Sequence, residues 1–181
     1  MFDVDDLIAE CRAAGQESEA RQALKEVLAR AVSDPGLAEA LPPTRAEIVP
    51  LHVGDDLTIL KVVWAPGMSV GPHDHRTWAA IGVYTGGEDN AFYRRDGATL
   101  AGSGGRELRP GDVCLLGDDV IHAVTNPTAQ HAAAIHVYRG NFLAMPRSQW
   151  TGTPYTEQPY DSQLRAAEFE AANGLPPGPA S

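Results

Sequence analysis

Cysteine is scarce in this 181-residue sequence, with Cys11 and Cys114 as the two copies. Two thiols so far apart in the chain give no disulfide framework, so both are expected to be reduced and at least partly buried. Long apolar runs are missing as well: no stretch approaches the ~20 residues that span a bilayer. The acidic start, MFDVDDLIAE, lacks the basic and then apolar pattern of a leader. A cytoplasmic location without a membrane partner is the resulting expectation. Positive charge is short too, since 14 Lys and Arg against 24 Asp and Glu leave a net charge of −10. That balance argues against nucleic acid and anionic membrane surfaces, both of which are bound through clustered Lys and Arg. An anionic substrate would need a local positive charge to attract it.

What is present suits one globular domain with a hydrophobic core. Three zones differ in pattern. In residues 1–44 the apolar positions Val4, Leu7, Ile8 and Cys11, then Leu24, Val27 and Leu28, recur at helical spacing. Gly15 separates these two helices. Asp34 and Pro35 read as the N-cap and first position of a short third helix that ends before LPP. This helical segment is expected to pack on the outside of the strand-rich region C-terminal to it. Residues 45–155 are short runs rich in Val, Ile, Thr, Tyr and Trp, punctuated by glycine turns such as APG, TGG, GSGG and RPGD. Thr58, Leu60, Val62 and Trp64 alternate with the other face of one strand, and Ala134, His136 and Tyr138 do so in another. Many short strands at this spacing indicate an all-β sandwich or barrel, with a jelly roll among the candidates. Residues 156–181 form an extension whose Pro/Gly-rich end, LPPGPAS, reads as disordered.

The stretch GPHDHRTWAA at 71–80 carries His73 and His75, which a strand would point into one space. Such a pair ligates a metal or merely decorates a solvated strand, so the rest of the chain must supply further ligands. Gly67 stands six residues before His73, and a second run, GDVCLLGDDVIHAVTN, begins at Gly111 and places His122 and Asn126 at fixed offsets. Together these resemble the two sequence motifs of the cupin superfamily. The resemblance implies a jelly-roll barrel (double-stranded β-helix) in which His73, His75 and His122 hold a metal. Gly117 and Asp119 replace a proline and a glycine of the second motif, keeping its turn-forming character. The glutamate usual in the first motif is absent, since Ala79 and Ala80 occupy its places.

Three histidines without that carboxylate resemble the cysteine dioxygenase-like thiol dioxygenases, and HDHRTWAAIGVYTGGE and AIHVY are similar to their bacterial members. The resemblance implies Fe(II) on three neutral imidazoles, with open positions for a thiolate and O2. It also implies that Tyr138 donates a hydrogen bond toward the substrate and that His136 orients it. Ala134 replaces the serine that precedes this pair in the family. The position of the carboxylate-binding arginine in animal-type members is Glu47 here, which has the wrong charge. The bacterial 3-mercaptopropionate dioxygenase-type members, which this chain resembles more, place that arginine where Arg147 stands. Ala80 matches the cysteine that crosslinks to the tyrosine in animal enzymes, so no crosslink is expected. The implied substrate is a small mercapto carboxylic acid oxidised to its sulfinate, by a monomer or homodimer.

Other readings stay open. The same ligands serve a diketone-cleaving dioxygenase, an isomerase, or a cupin that binds a small molecule without turnover. Trp64 and Trp78 read as packing residues, His52 and His131 as exposed loop residues, and Cys114 as a small buried hydrophobe. Arg76, Arg94 and Arg95 read as solvated, with Arg76 a secondary anion-binding candidate.

Overall fold

The structure is a computed structural model that describes residues 2–174; the LPPGPAS end lies outside the described residues. Three helices come first: α1 (Val4–Ala14), α2 (Ala20–Ser33) and α3 (Gly36–Ala40). Asp3 caps α1, its carboxylate accepting from the backbone N–H of Asp5 and Asp6. Asp34 works as expected at α3, accepting from Gly36 N–H at 2.8 Å, although Pro35 takes the cap position itself.

Nine strands then run through β1 (Glu47–Val53), β2 (Leu57–Trp64), β3 (Ser69–Asp74), β4 (Ala79–Thr85), β5 (Glu88–Asp96), β6 (Thr99–Leu108), β7 (Val113–Leu116), β8 (Ile121–Thr125) and β9 (Ala132–Arg139). A 3₁₀ turn at Phe142–Ala144 leads to β10 (Ser148–Thr151) and β11 (Thr156–Pro159), and α4 (Ser162–Asn173) closes the described chain. The strands form two sheets, ordered β1-β2-β9-β4-β7 and β11-β10-β3-β8-β5-β6, with every pairing antiparallel. This is the double-stranded β-helix, a jelly roll. Helix α4 was not foreseen in the sequence. Its Phe169 packs on Trp64 with ring centroids 5.3 Å apart.

The central strands β2, β9 and β4 of the five-stranded sheet are buried on both faces, which explains why β2 and β9 carry apolar residues on each. Leu60, Val62, Trp64, Ala134 and Tyr138 face inward with Val70 and Val124 of the other sheet. Ile59, Val63, Ile135 and Val137 point outward against Leu7, Cys11, Leu24 and Leu28 of the helices. Each such Leu contributes roughly 1.5–3 kcal/mol when removed from water. Gly82 lets α2 lie close, because a Cβ there would meet Val32 at 2.8 Å. Gly86, at φ +67°, turns the chain from one sheet to the other where a Cβ would strike Ala132 at 2.5 Å, and so delivers Glu88 into the interior. Trp78 and both cysteines are buried packing residues; burial pushes the Cys11 thiol up to about 12. His52 corrects the sequence reading, being a half-buried residue of β1 bonded to Asp56 rather than an exposed loop residue. His131 does lie in a loop but is half-buried. No helix among the described residues is long and apolar enough to cross a membrane.

Candidate metal centre

Strands β3 and β8 bring the histidines together. His73 and His122 are register partners across that ladder, where β3 carries a bulge between Val70 and His73. His75 sits just past the end of β3, before the bend at Arg76, whose φ is 56°. The ring centroids lie 5.3 Å (His73–His75), 4.7 Å (His73–His122) and 4.8 Å (His75–His122) apart, and the three candidate ligand nitrogens fall within 4.8 Å of one another. The two outer hydrogen bonds fix which nitrogens face inward. His73 Nδ1 donates to Gly71 carbonyl oxygen at 3.1 Å, and His122 Nδ1 donates to Asn90 Oδ1 at 2.8 Å. Each Nε2 is left with a lone pair directed at the shared space.

These residues fit a divalent metal. The Nε2 atoms of His122 and His75 face each other at 3.1 Å, a contact in which at most one proton can be shared and which a cation between lone pairs would relieve. Burial holds His73 and His75 well below the usual histidine range and pulls His122 down to about 4, so all three are neutral ligands at pH 7. Stability then depends on pH with a definite sign. Unfolded histidines take up protons near pH ~6.5 while these stay neutral, so the unfolded state binds more protons as pH falls. The metal-free protein is expected to lose thermal stability from about pH 6.5 down toward about 4. A His75→Ala variant should lose less over that window, as read by thermal melts at stepped pH.

Asn90, on β5, escaped the sequence reading. It is a buried polar residue whose role is to orient His122. Outer partners of this kind typically change metal affinity ~10–100-fold when removed. Asn90→Ala is therefore expected to weaken divalent-metal binding by about that factor in a calorimetric titration while the fold is kept.

His136 and Tyr138 share the inward face of β9. The Tyr138 hydroxyl lies 2.9 Å from His136 Nδ1, and its ring stands edge-on to His75 at 5.1 Å and stacks on Phe142 at 3.7 Å. Burial raises the Tyr138 pKa far above its ordinary value, so the phenol stays protonated. Across β4, Tyr138 is registered with Ala79, where a bulkier residue would crowd the ring. Ala80, matched in the sequence to the crosslinking cysteine, faces the helices instead. Ala134 is inward-facing and buried, and brings no hydroxyl. Glu88 takes up the other side of His136, with Oε1 3.5 Å from Nε2. It is fully buried and was missed in the sequence, where GGEDNAFYRR has no apolar alternation to reveal an inward Glu88 and Asn90.

Arg147 follows the 3₁₀ turn. Its guanidinium is sandwiched between Phe142 and Tyr160, 4.1 and 3.8 Å from their ring centres. Nη1 donates to the carbonyls of Phe142 and Met145 at 3.1 and 3.4 Å, while Nε is buried without a partner. The histidines, Tyr138 and Arg147 line one cavity of about 680 Å³. Its walls are largely apolar, with Leu60, Val62, Val70, Val124 and Phe169 among them. Trp64 lines it too, besides packing. Glu47, also at the cavity, is held by Lys61 at 2.7 Å. Arg76 is engaged by Asp74 at 2.6 Å, away from the cavity, and Arg95 pairs with Glu157. Neither is simply solvated.

No family model matches the chain. Solved structures do resemble it. BH2720 from Bacillus halodurans superposes with a TM-score of 0.50 at 17% identity over 59% of this chain and 80% of that one. An RmlC-like cupin with a double-stranded β-helix fold from Methanocaldococcus jannaschii gives 0.45 at 10% identity over 54% and 82%. An oxalate oxidase in complex with the substrate analogue glycolate gives 0.44 at 17% identity, over 55% of this chain and 53% of that chain. This chain thus spans about half the length of the oxalate oxidase it matches. At these identities the likeness is one of fold, and the fold is the double-stranded β-helix.

Proposed function

We propose that this chain is a non-haem iron(II)-dependent thiol dioxygenase that oxidises a small mercapto carboxylic acid to its sulfinic acid with O2. The observation that carries this reading is the donor set: three imidazoles converge with no carboxylate among them. When bound, iron(II) would supply a full positive charge and open coordination positions suited to a thiolate and dioxygen. The thiol supplies every electron that O2 takes up and both oxygen atoms end on sulfur, so no reductant is required.

The chain's own residues do the positioning. His73 and His122 are oriented by their Nδ1–H bonds to Gly71 and Asn90. Arg147 would take the substrate carboxylate on the part of its guanidinium that its backbone bonds leave free, since Nη1 is engaged by backbone carbonyls and the aromatic sandwich fixes its plane. The largely apolar walls would strengthen that ion pair relative to bulk water. Tyr138, oriented by His136, stands between the histidines and Phe142.

A second reading, diketone cleavage at the same three histidines, draws support from a cavity of about 680 Å³ with mainly apolar walls, ample for a larger substrate. Oxygen uptake by anaerobically iron(II)-loaded protein separates them, with 3-mercaptopropionate, cysteine, cysteamine, mercaptosuccinate and a β-diketone as the panel. Uptake with a mercapto acid and formation of a sulfinate is the expected result. Uptake with the diketone alone would transfer the assignment to the second reading.

A further inference from the structure

We infer that Glu88 is a positioning residue that fixes the tautomer of His136 and thereby turns the Tyr138 oxygen into a hydrogen-bond acceptor toward the cavity. The Gly86 corner places Glu88 at the first position of β5, where it is fully buried. Its Oε1 accepts from Trp64 Nε1–H at 2.7 Å, which pins the carboxylate, and the same oxygen lies 3.5 Å from His136 Nε2. Among the described residues it is the only hydrogen-bond partner of that nitrogen.

The tautomer is set by what each nitrogen faces. A proton on Nε2 makes a hydrogen bond to Glu88. A proton on Nδ1 alone would leave the Nε2 lone pair buried against a carboxylate oxygen, an unsatisfied and repulsive arrangement. In the neutral ring with Nε2 protonated, Nδ1 can only accept, and the group 2.9 Å away is the Tyr138 hydroxyl. The hydroxyl therefore gives its hydrogen to His136 and presents only lone pairs to the cavity it lines. The sequence-based expectation was the reverse, a tyrosine donating into the site. A hydrogen-bond donor on the bound substrate is what this oxygen is built to receive. In this chain, where Ala134 offers no hydroxyl, the third member of the Tyr138–His136 series is a carboxylate from the opposite sheet.

Nitrogen-15 NMR of histidine-labelled, metal-free full-length protein reads the tautomer directly, with His136 assigned by its loss in a His136→Asn variant. The expected result is a protonated Nε2 and a non-protonated Nδ1 in the native protein and in Glu88→Gln, whose amide oxygen accepts as the carboxylate does. Glu88→Leu should lose that pattern. A native His136 protonated at Nδ1, or a Glu88→Leu protein with the native tautomer, would overturn the inference; the native spectrum suffices should the leucine variant not fold. The catalytic consequence rests on the proposed thiol oxidation. There Glu88→Leu should lower kcat roughly tenfold to a hundredfold with KM little changed, and Glu88→Gln should restore it. Absence of any thiol turnover with the predicted tautomer intact would count against the activity and leave the tautomer assignment standing.

Discussion

A His75→Ala protein is expected to fold and to bind divalent iron or cobalt at least about a hundredfold more weakly than the native chain, because one of its few ligands is gone. His75 is the informative choice among the ligands. Its Nδ1 is buried without a partner and its Nε2 faces that of His122, so truncation removes one unsatisfied nitrogen and leaves a single group, His122 Nε2, without its partner. His122→Ala, by contrast, would orphan Asn90 Oδ1. The edge-on contacts of His75 with Tyr138 and Phe142 are lost, but so is an unsatisfied buried nitrogen worth about 1–3 kcal/mol. These terms oppose each other, and the metal-free variant should melt close to the native metal-free protein. The loaded forms should separate. At a hundredfold excess over the dissociation constant, a ligand that binds only the folded state adds ~2.7 kcal/mol. Native protein should therefore melt several degrees higher with metal, and His75→Ala at the same metal concentration should show almost no shift. Equal binding by both proteins would mean that the histidine cluster is not the metal site.

Replacing Arg147 with methionine should cut kcat/KM for a mercapto carboxylic acid by about 10–150-fold, chiefly through KM. That range is the ~1.5–3 kcal/mol of a hydrogen bond to a charged group. Methionine keeps an apolar filling between Phe142 and Tyr160, so the sandwich loses its charge and fork rather than its bulk. Arg147→Lys should recover part of the loss, since an ammonium keeps the charge without bidentate geometry. Cysteamine provides the internal control: lacking a carboxylate, it should be handled equally by native and variant enzyme. Equal losses for cysteamine and the mercapto acid would reassign Arg147 to maintaining the cavity wall. The sequence has a net charge of −10, so this half-buried guanidinium at the cavity is a local reversal of the protein's overall field.

Legible in the sequence are the features with a period or a fixed offset. Alternation in β2 and β9 separated two faces that do take different partners, because a strand buried on both sides still packs each face against its own neighbours. Gly67, His73, His75 and His122 stood at motif spacing, and the ladder between β3 and β8 brings the histidines together. Glu88 and Asn90 were invisible for a physical reason. They are polar residues buried at the start of a strand whose far end is exposed, so only the partners from other strands reveal that they point inward. Helix α4 was missed because its apolar face is thin: Phe169 and Ala172 are its buried apolar side chains, and its Arg165 is buried as well. Arg147 could be singled out by position, but its aromatic sandwich depends on Tyr160, which reaches it only through the turn after β11.

The central claim is best tested with iron(II)-loaded protein, 3-mercaptopropionate and isotopically labelled dioxygen, followed by mass analysis of the product. The predicted result is one O2 consumed per thiol and a sulfinate in which both oxygens carry the label. A disulfide product, a sulfinate labelled from water, or no oxygen uptake with any thiol despite metal bound at His73, His75 and His122 would contradict it.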